Sequence, residues 1–199
     1  MTGLRSAAIE ALHYAVDEPD APDLSRAQRH AMPMTTILFL DIDGVLNGIE
    51  HIRQVGGAGC PPPLGRASAL DLKWCPQMVR RLRRIVEETG CDIVISSSWR
   101  GYGEHAVAQW QRMFGCYGWP HAPVIGETPT LDETDRMHPL RGREVERWLL
   151  SAPHVQRYVC LDDSEEFFPH QPVVQTSGEH GLTDLEAMRC IEVLGQARR

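Results

Sequence analysis

The sequence has no long apolar run. Nothing in it approaches the ~20 consecutive apolar residues that cross a bilayer, and its N-terminus lacks the apolar stretch of a secretory signal. A cytoplasmic protein without a membrane partner is expected. Paired cysteines are lacking too. Cys60, Cys75, Cys91, Cys116, Cys160 and Cys190 form no C-x-x-C pair and nine histidines are equally scattered, which favours reduced thiols over a zinc site or a disulfide framework. An excess of positive charge is also missing: 20 basic residues stand against 27 acidic ones, for a net charge of −7. Neutralising phosphates takes clustered Lys and Arg, so no extensive nucleic-acid surface is expected, although a local basic site stays compatible with this balance. There is no internal repeat and no long low-complexity tract.

What is present fits one α/β domain with an insertion or tail. The chain has 199 residues, 42% hydrophobic and 24% charged, which are ordinary globular values. Residues 1–34 combine a short helical pattern (Leu4, Ile9, Leu12) with the polar "VDEPDAPDLSRAQRHAMP", and read as an N-terminal extension that the core, residues 35–199, does not need. From Thr36 the pattern alternates. "TTILFLD" and "CDIVISSS" are short apolar runs of buried-strand type. Between them Met78, Val79, Leu82, Ile85 and Val86 recur at helical spacing, and Gly90 sits where such a helix would stop. A helix is expected over 104–115 (Val107, Trp110, Met113, Phe114), a short strand at "PVIGE", and a helix in "REVERWLL" with Val145, Trp148 and Leu149 on one face. Strands follow in "VQRYVCLDD" and "PVVQT". The last helix opens with "TDLE", where Thr183 and Glu186 can form a capping box. Alternating strands and helices imply a doubly wound, mainly parallel sheet. Residues 48–70, rich in Gly with a triple Pro, break this rhythm as an insertion after the first strand.

Open parallel sheets collect ligands beyond the carboxyl ends of their strands. The first strand ends in Asp41 and Asp43, the second in Ser96, Ser97 and Ser98, and the fourth in Asp162 and Asp163, while "RGRE" supplies Arg141 and Arg143. Each piece alone has a plain structural explanation: "DIDG" as a turn, "SSSW" as a polar loop, "LDDS" as a helix cap. A calcium loop does not fit, because Ile52 stands where its final Glu belongs. Together, on successive strand ends, the set reads as catalytic. Clustered carboxylates raise one another's pKa and need a counter-charge, which a hard divalent cation such as Mg²⁺ supplies while leaving positions for water or phosphate oxygens. One aspartate can then attack phosphorus, and the one two residues on can handle protons.

With these motifs the sequence resembles the haloacid dehalogenase (HAD) superfamily of phosphohydrolases, whose pattern is D-x-D-G-[TV], then Ser or Thr, then Lys or Arg, then acidic residues. More closely it is similar to the HAD domains grouped with Swiss Army Knife RNA repair proteins, through "LFLDIDGVLN", "IVISSSWR", "RGREVERWL", "YVCLDDSEEF" and "GLTDLEAMRCIEVL". The resemblance spans roughly residues 36–195. It implies a HAD-like Rossmannoid fold with a small flap or cap at 48–70, and a Mg²⁺-dependent phosphatase working through an aspartyl-phosphate. Asp41 would be nucleophile and metal ligand, and Asp43 the general acid/base with its backbone carbonyl on the metal. Asp163 would reach the metal with Asp162 in support, or the reverse. Ser97 would hold a phosphate oxygen, with Ser98 or Ser96 as alternatives, and Arg141 would neutralise nucleophile and phosphate, with Arg143 or Arg100 as alternatives. An Arg where many members have Lys brings a fork of donors in place of a compact charge.

The expected partner is a small phosphorylated substrate, such as a nucleotide, or a nucleic-acid terminus. The competing reading is an inactive or regulatory HAD-like module that binds phosphate or metal without turnover. A signalling receiver fits less well, since its phosphorylated aspartate ends a middle strand of the sequence order, where this chain has serines. Arg80, Arg81, Arg83 and Arg84 lie opposite the apolar stripe of their helix and read first as a solvated face, with nucleic-acid contact as the second reading. Trp99 reads as core packing before base stacking.

Overall fold

The structure, a computed structural model, describes residues 35–131 and 138–195. The expected extension at 1–34 lies outside the described residues. Five strands form the sheet: β1 (Thr35–Leu40), β2 (Asp92–Ile95), β3 (Val124–Glu127), β4 (Val155–Asp162) and β5 (Val173–Gln175). Their order is β3-β2-β1-β4-β5 and every neighbouring pair is parallel, a fold of HAD-like Rossmannoid type. β1 is central. Its Ile37, Leu38, Phe39 and Leu40 are buried without alternation because both faces of the sheet are covered.

Among the described residues six α-helices accompany the strands: α1 (Ile49–Gln54), α2 (Ala69–Leu72), α3 (Pro76–Thr89), α4 (Ala106–Gly115), α5 (Leu140–Leu150) and α6 (Asp184–Gly195). Leu38, Leu40, Ile93, Ile95, Val159 and Leu161 face α3, α4 and α6 in the larger core. Ile37, Phe39, Val94 and Cys160 turn the other way onto Val145, Trp148 and Leu149 of α5. The sheet is thus the middle of three layers. No helix among the described residues is long and apolar enough to cross a membrane.

Local chemistry accounts for the boundaries. α3 begins on Pro76, whose missing N–H costs nothing at that position, and ends at Gly90, which is left-handed (φ 65°) and donates its N–H to the Val86 carbonyl. At α6 the Leu185 N–H donates to Thr183 Oγ1 while the Thr183 N–H donates to Glu186 Oε2, closing the capping box. One expectation is corrected at α4. Val107 is exposed, and the buried stripe runs through Ala106, Gln109, Trp110, Met113 and Phe114. Gln109 is buried there because the insertion docks on it: its amide donates to Arg66 O (2.7 Å) and accepts from the Gly65 N–H (2.8 Å). The insertion itself holds α1, which buries no residue, and the start of α2. α1 is tied to the segment after β5, since the Ile49 and Glu50 N–H groups donate to the Gly178 and Glu179 carbonyls.

Candidate active site

Register brings the strand ends level. Leu40 pairs with Ile95 on one side and Leu161 on the other. The ladder continues one step further, with the Asp41 N–H donating to Leu161 O (3.0 Å) and the Ser96 N–H to Leu40 O (2.8 Å). Asp41, Ser96 and Asp162 therefore leave three adjacent strands side by side. One carboxylate oxygen from each of Asp41, Asp162 and Asp163 lies within 4.8 Å of the other two.

Asp41 is 5% exposed and Asp162 2%. Burial, followed by the repulsion of Asp162, pushes the Asp41 carboxyl up to about 7 against the pull of Arg141 and a hydrogen bond from Ser97. Burial likewise raises Asp162 to about 6, although it accepts the Ser164 N–H at 2.8 Å. Asp163 is raised by burial too. Asp41 Oδ1 and Asp162 Oδ2 are buried without a hydrogen-bond partner. Two orphaned oxygens within an all-carboxylate set are what a hard divalent cation would satisfy, so the residues present fit the metal that the motifs imply. Glycines make room for the third carboxylate. A Cβ on Gly44, whose φ is +70°, would stand 2.1 Å from Asp163 Oδ2, and one on Gly178 would stand 2.9 Å from it.

Of the three candidate arginines, Arg141 is the one beside the carboxylates, with Nη2 3.6 Å from Asp41 Oδ1 and Nε 3.8 Å from Asp162 Oδ2. A compact lysine does not stand at that position, and the single lysine of the chain is Lys73, just after α2. Arg100 is spent elsewhere: Nε donates to Ser97 O, Nη1 to Thr128 and Pro129, and Nη2 to Glu144 Oε1 at 2.8 Å. Arg143 lies over the Phe168 ring, 6.0 Å from its centroid. Among the serines, Ser97 is fully buried and bonds Asp41. Ser96 Oγ is buried without a partner, and Ser98 is exposed.

The Asp43 carboxylate stands apart from the three-carboxylate group, exposed at the mouth of the site. Trp99 Nε1–H donates to its Oδ2 and the Asn47 amide to its Oδ1, both at 2.8 Å. Trp99, 4% exposed and 6.1 Å from the Trp74 ring, is thus both core and a holder of Asp43. Asn47 also accepts the Gly44 N–H (3.1 Å), which fixes the turn between them.

Three of these residues escaped the sequence reading. Glu144, 1% exposed, joins Arg100 to Arg141, with 3.4 Å to the latter; its i,i+3 spacing from Arg141 on a helix was the available signal. Asn47 lies one turn beyond Asp43 and carried no pattern of its own. Gly178 is distant in sequence from Asp163, and nothing in the chain announces their approach.

No curated protein and no solved structure matches the chain. The family model for the HAD domain in Swiss Army Knife RNA repair proteins matches residues 37–187, a span from the first strand to the first turn of α6 that holds Asp41, Asp43, Asp162 and Asp163. The chain belongs to that family of HAD domains.

Proposed function

We propose that the protein is a Mg²⁺-dependent phosphatase that hydrolyses a phosphomonoester through an aspartyl-phosphate on Asp41, with a nucleotide or a nucleic-acid end as substrate. The observation that carries this reading is the convergence of Asp41, Asp162 and Asp163 within 4.8 Å beside Arg141. Asp41, Asp162 and Asp163 would hold Mg²⁺, joined by the Asp43 backbone carbonyl. Bound there, the ion keeps the carboxylates ionised and offsets the charge of an incoming phosphate.

The chain's own groups account for the rest. Ser97 and Arg141 bind the phosphate oxygens, with Ser98 at the exposed rim. An Asp41 oxygen attacks phosphorus, the bond from phosphorus to the leaving oxygen breaks, and that oxygen takes a proton from Asp43. Asp43 then removes a proton from water, which attacks phosphorus, frees inorganic phosphate and restores the Asp41 carboxylate. Trp99 and Asn47 set Asp43 well for the second step. For the first, one of their two hydrogen bonds has to open so that the proton can face the leaving oxygen. Dehalogenating relatives typically lack an acid at this position, which favours phosphate chemistry over carbon–halogen cleavage. The 48–70 insertion, anchored on Gln109 and on the loop after β5, acts as the cap that selects the leaving group.

Asp41→Asn tests the reading. The expected result with an activated aryl phosphate and Mg²⁺ is a loss of turnover of at least ~1000-fold with the circular dichroism of the folded chain retained. Turnover that survives the substitution rejects Asp41 as nucleophile. A wild-type protein that takes up phosphate once from a small donor, with no turnover, would instead be a regulatory module.

A further inference from the structure

The four arginines of α3 do not share one environment. Arg83 lies on the solvated side and pairs with Glu87 one turn on (2.7 Å). Arg80, Arg81 and Arg84 turn towards the start of α6, where with Gln77 and Asp184 they line a polar groove of about 380 Å³. Three guanidiniums there face one carboxylate. Arg81 takes it, donating from Nη2 to Asp184 Oδ2 at 3.0 Å. Arg84 pairs with Glu88 at 2.6 Å, and Arg80 is exposed and makes no ion pair among the described residues. Like charges gathered on adjacent turns repel. Arg84 and Glu88 pair as Arg83 and Glu87 do and Arg81 pairs with Asp184, so the charge left open in the groove is that of Arg80. The rest of the chain is acidic, at −7 overall, so this concentration is local.

The groove is joined to the active-site loop by hydrogen bonds. Arg81 Nη1 donates to Leu182 O (3.2 Å), and the Leu182 N–H donates to Val45 O (2.9 Å), two residues from Asp43. The Cys75 N–H, just before α3, donates to Leu46 O (2.7 Å). Both α3 and α6 begin at this carboxyl edge of the sheet, so the positive ends of two helix dipoles lie there. Planar forks of donors beside an amide are suited to phosphate oxygens.

We infer that the groove of Gln77, Arg80, Arg81 and Arg84 binds the phosphodiester backbone of a nucleic-acid strand whose terminus lies at Asp41. The inference rests on the phosphatase reading only for what happens at that terminus. Phosphates upstream of the reacting end would sit between α3 and α6, and a mononucleotide, having none, would not use the groove.

Binding separates the two claims. The full chain and the Arg80→Ala/Arg84→Ala variant are titrated against a fluorescent single-stranded RNA oligonucleotide lacking a terminal phosphate, at several salt concentrations. Both positions are exposed and neither belongs to the catalytic set. The expected result is about tenfold weaker binding by the variant and a salt slope shallower by about 1.4, two phosphate contacts at about 0.7 each, with unchanged turnover of the aryl phosphate. Equal affinity and slope for the two proteins overturn the inference, as does failure of the full chain to bind the oligonucleotide. Displacement of the oligonucleotide by inorganic phosphate or a mononucleotide at matched phosphate concentration would make the groove a single-anion site and overturn the strand. Normal binding with no hydrolysis of any phosphomonoester would keep the groove and remove the phosphatase.

Discussion

Asp41 and Asp162 are folded into a place where their ionised forms are costly. Their carboxyls are pushed to about 7 and about 6 from an ordinary 3.8, chiefly by burial. The folded state thus holds these protons more tightly than the unfolded one. The stability that this lends the metal-free protein is complete below about pH 4 and is lost as pH rises through 6 to 7. Thermal unfolding in a chelator should therefore show a midpoint that falls across this window, by an amount equivalent to a few kcal/mol at most. Asp162→Asn should flatten the fall. Magnesium should restore the midpoint at pH 8 and do little at pH 5, because metal and protons compete for the same oxygens. A midpoint that rises through the same window in chelator would contradict the assigned cause. Legibility at this scale follows distance along the chain. Asp41, Asp162 and Asp163 were readable because each ends an apolar run, and in a parallel sheet strand ends meet. Which serine touches Asp41, or that Trp99 spends its indole N–H on Asp43, depends on side-chain direction in a loop, and no periodicity encodes that.

At the scale of the elements, α5 does more than cover the sheet. Its first turn carries Arg141, and one turn on it places Glu144 so that a single buried carboxylate spans two guanidiniums: 2.8 Å to Arg100, from the loop after β2, and 3.4 Å to Arg141. Arg100 in turn holds Ser97 O (2.6 Å) and the segment after β3 through Thr128. The loop that carries the serines and the helix that carries Arg141 are thereby set against each other. Glu144→Gln keeps the volume and removes the charge, leaving Arg100 buried without its counter-ion. Urea denaturation should show a loss of about 3–5 kcal/mol, and Arg141, freed of one partner, should drop turnover alongside. If the variant is as stable as the parent, Glu144 is not what fixes the two arginines. The same scale shows where the sequence was easiest to read. β1, β2 and the second half of β4, Tyr158 to Leu161, carry unbroken apolar runs, and α3 and α6 carry their own stops and caps. The stripe of α4 was misjudged at Val107 because a polar residue, Gln109, is buried through contacts with an insertion whose path no local rule predicts.

For the whole molecule, the site and the fold share one set of covalent requirements. Among the described residues every strand, the central three with their polar ends, falls between Thr35 and Gly178, as does each residue of the proposed chemistry. α6 seals the larger core through Ala187, Cys190 and Leu194, so the unit cannot stop short of it. The compact unit that contains all of this begins at Met34, and the family match begins at residue 37. The first 33 residues lie outside both that unit and the family match. A chain starting at Met34 is expected to fold cooperatively, to keep its magnesium-dependent shift in unfolding midpoint, and to hydrolyse an aryl phosphate within about twofold of the full chain, since ΔΔG‡ below about 0.4 kcal/mol corresponds to that ratio. The measurement is a parallel thermal melt and initial-rate assay of the two proteins. A truncated chain that melts normally but loses turnover would place a catalytic or substrate-binding group within residues 1–33. One that fails to fold would make that segment part of the core.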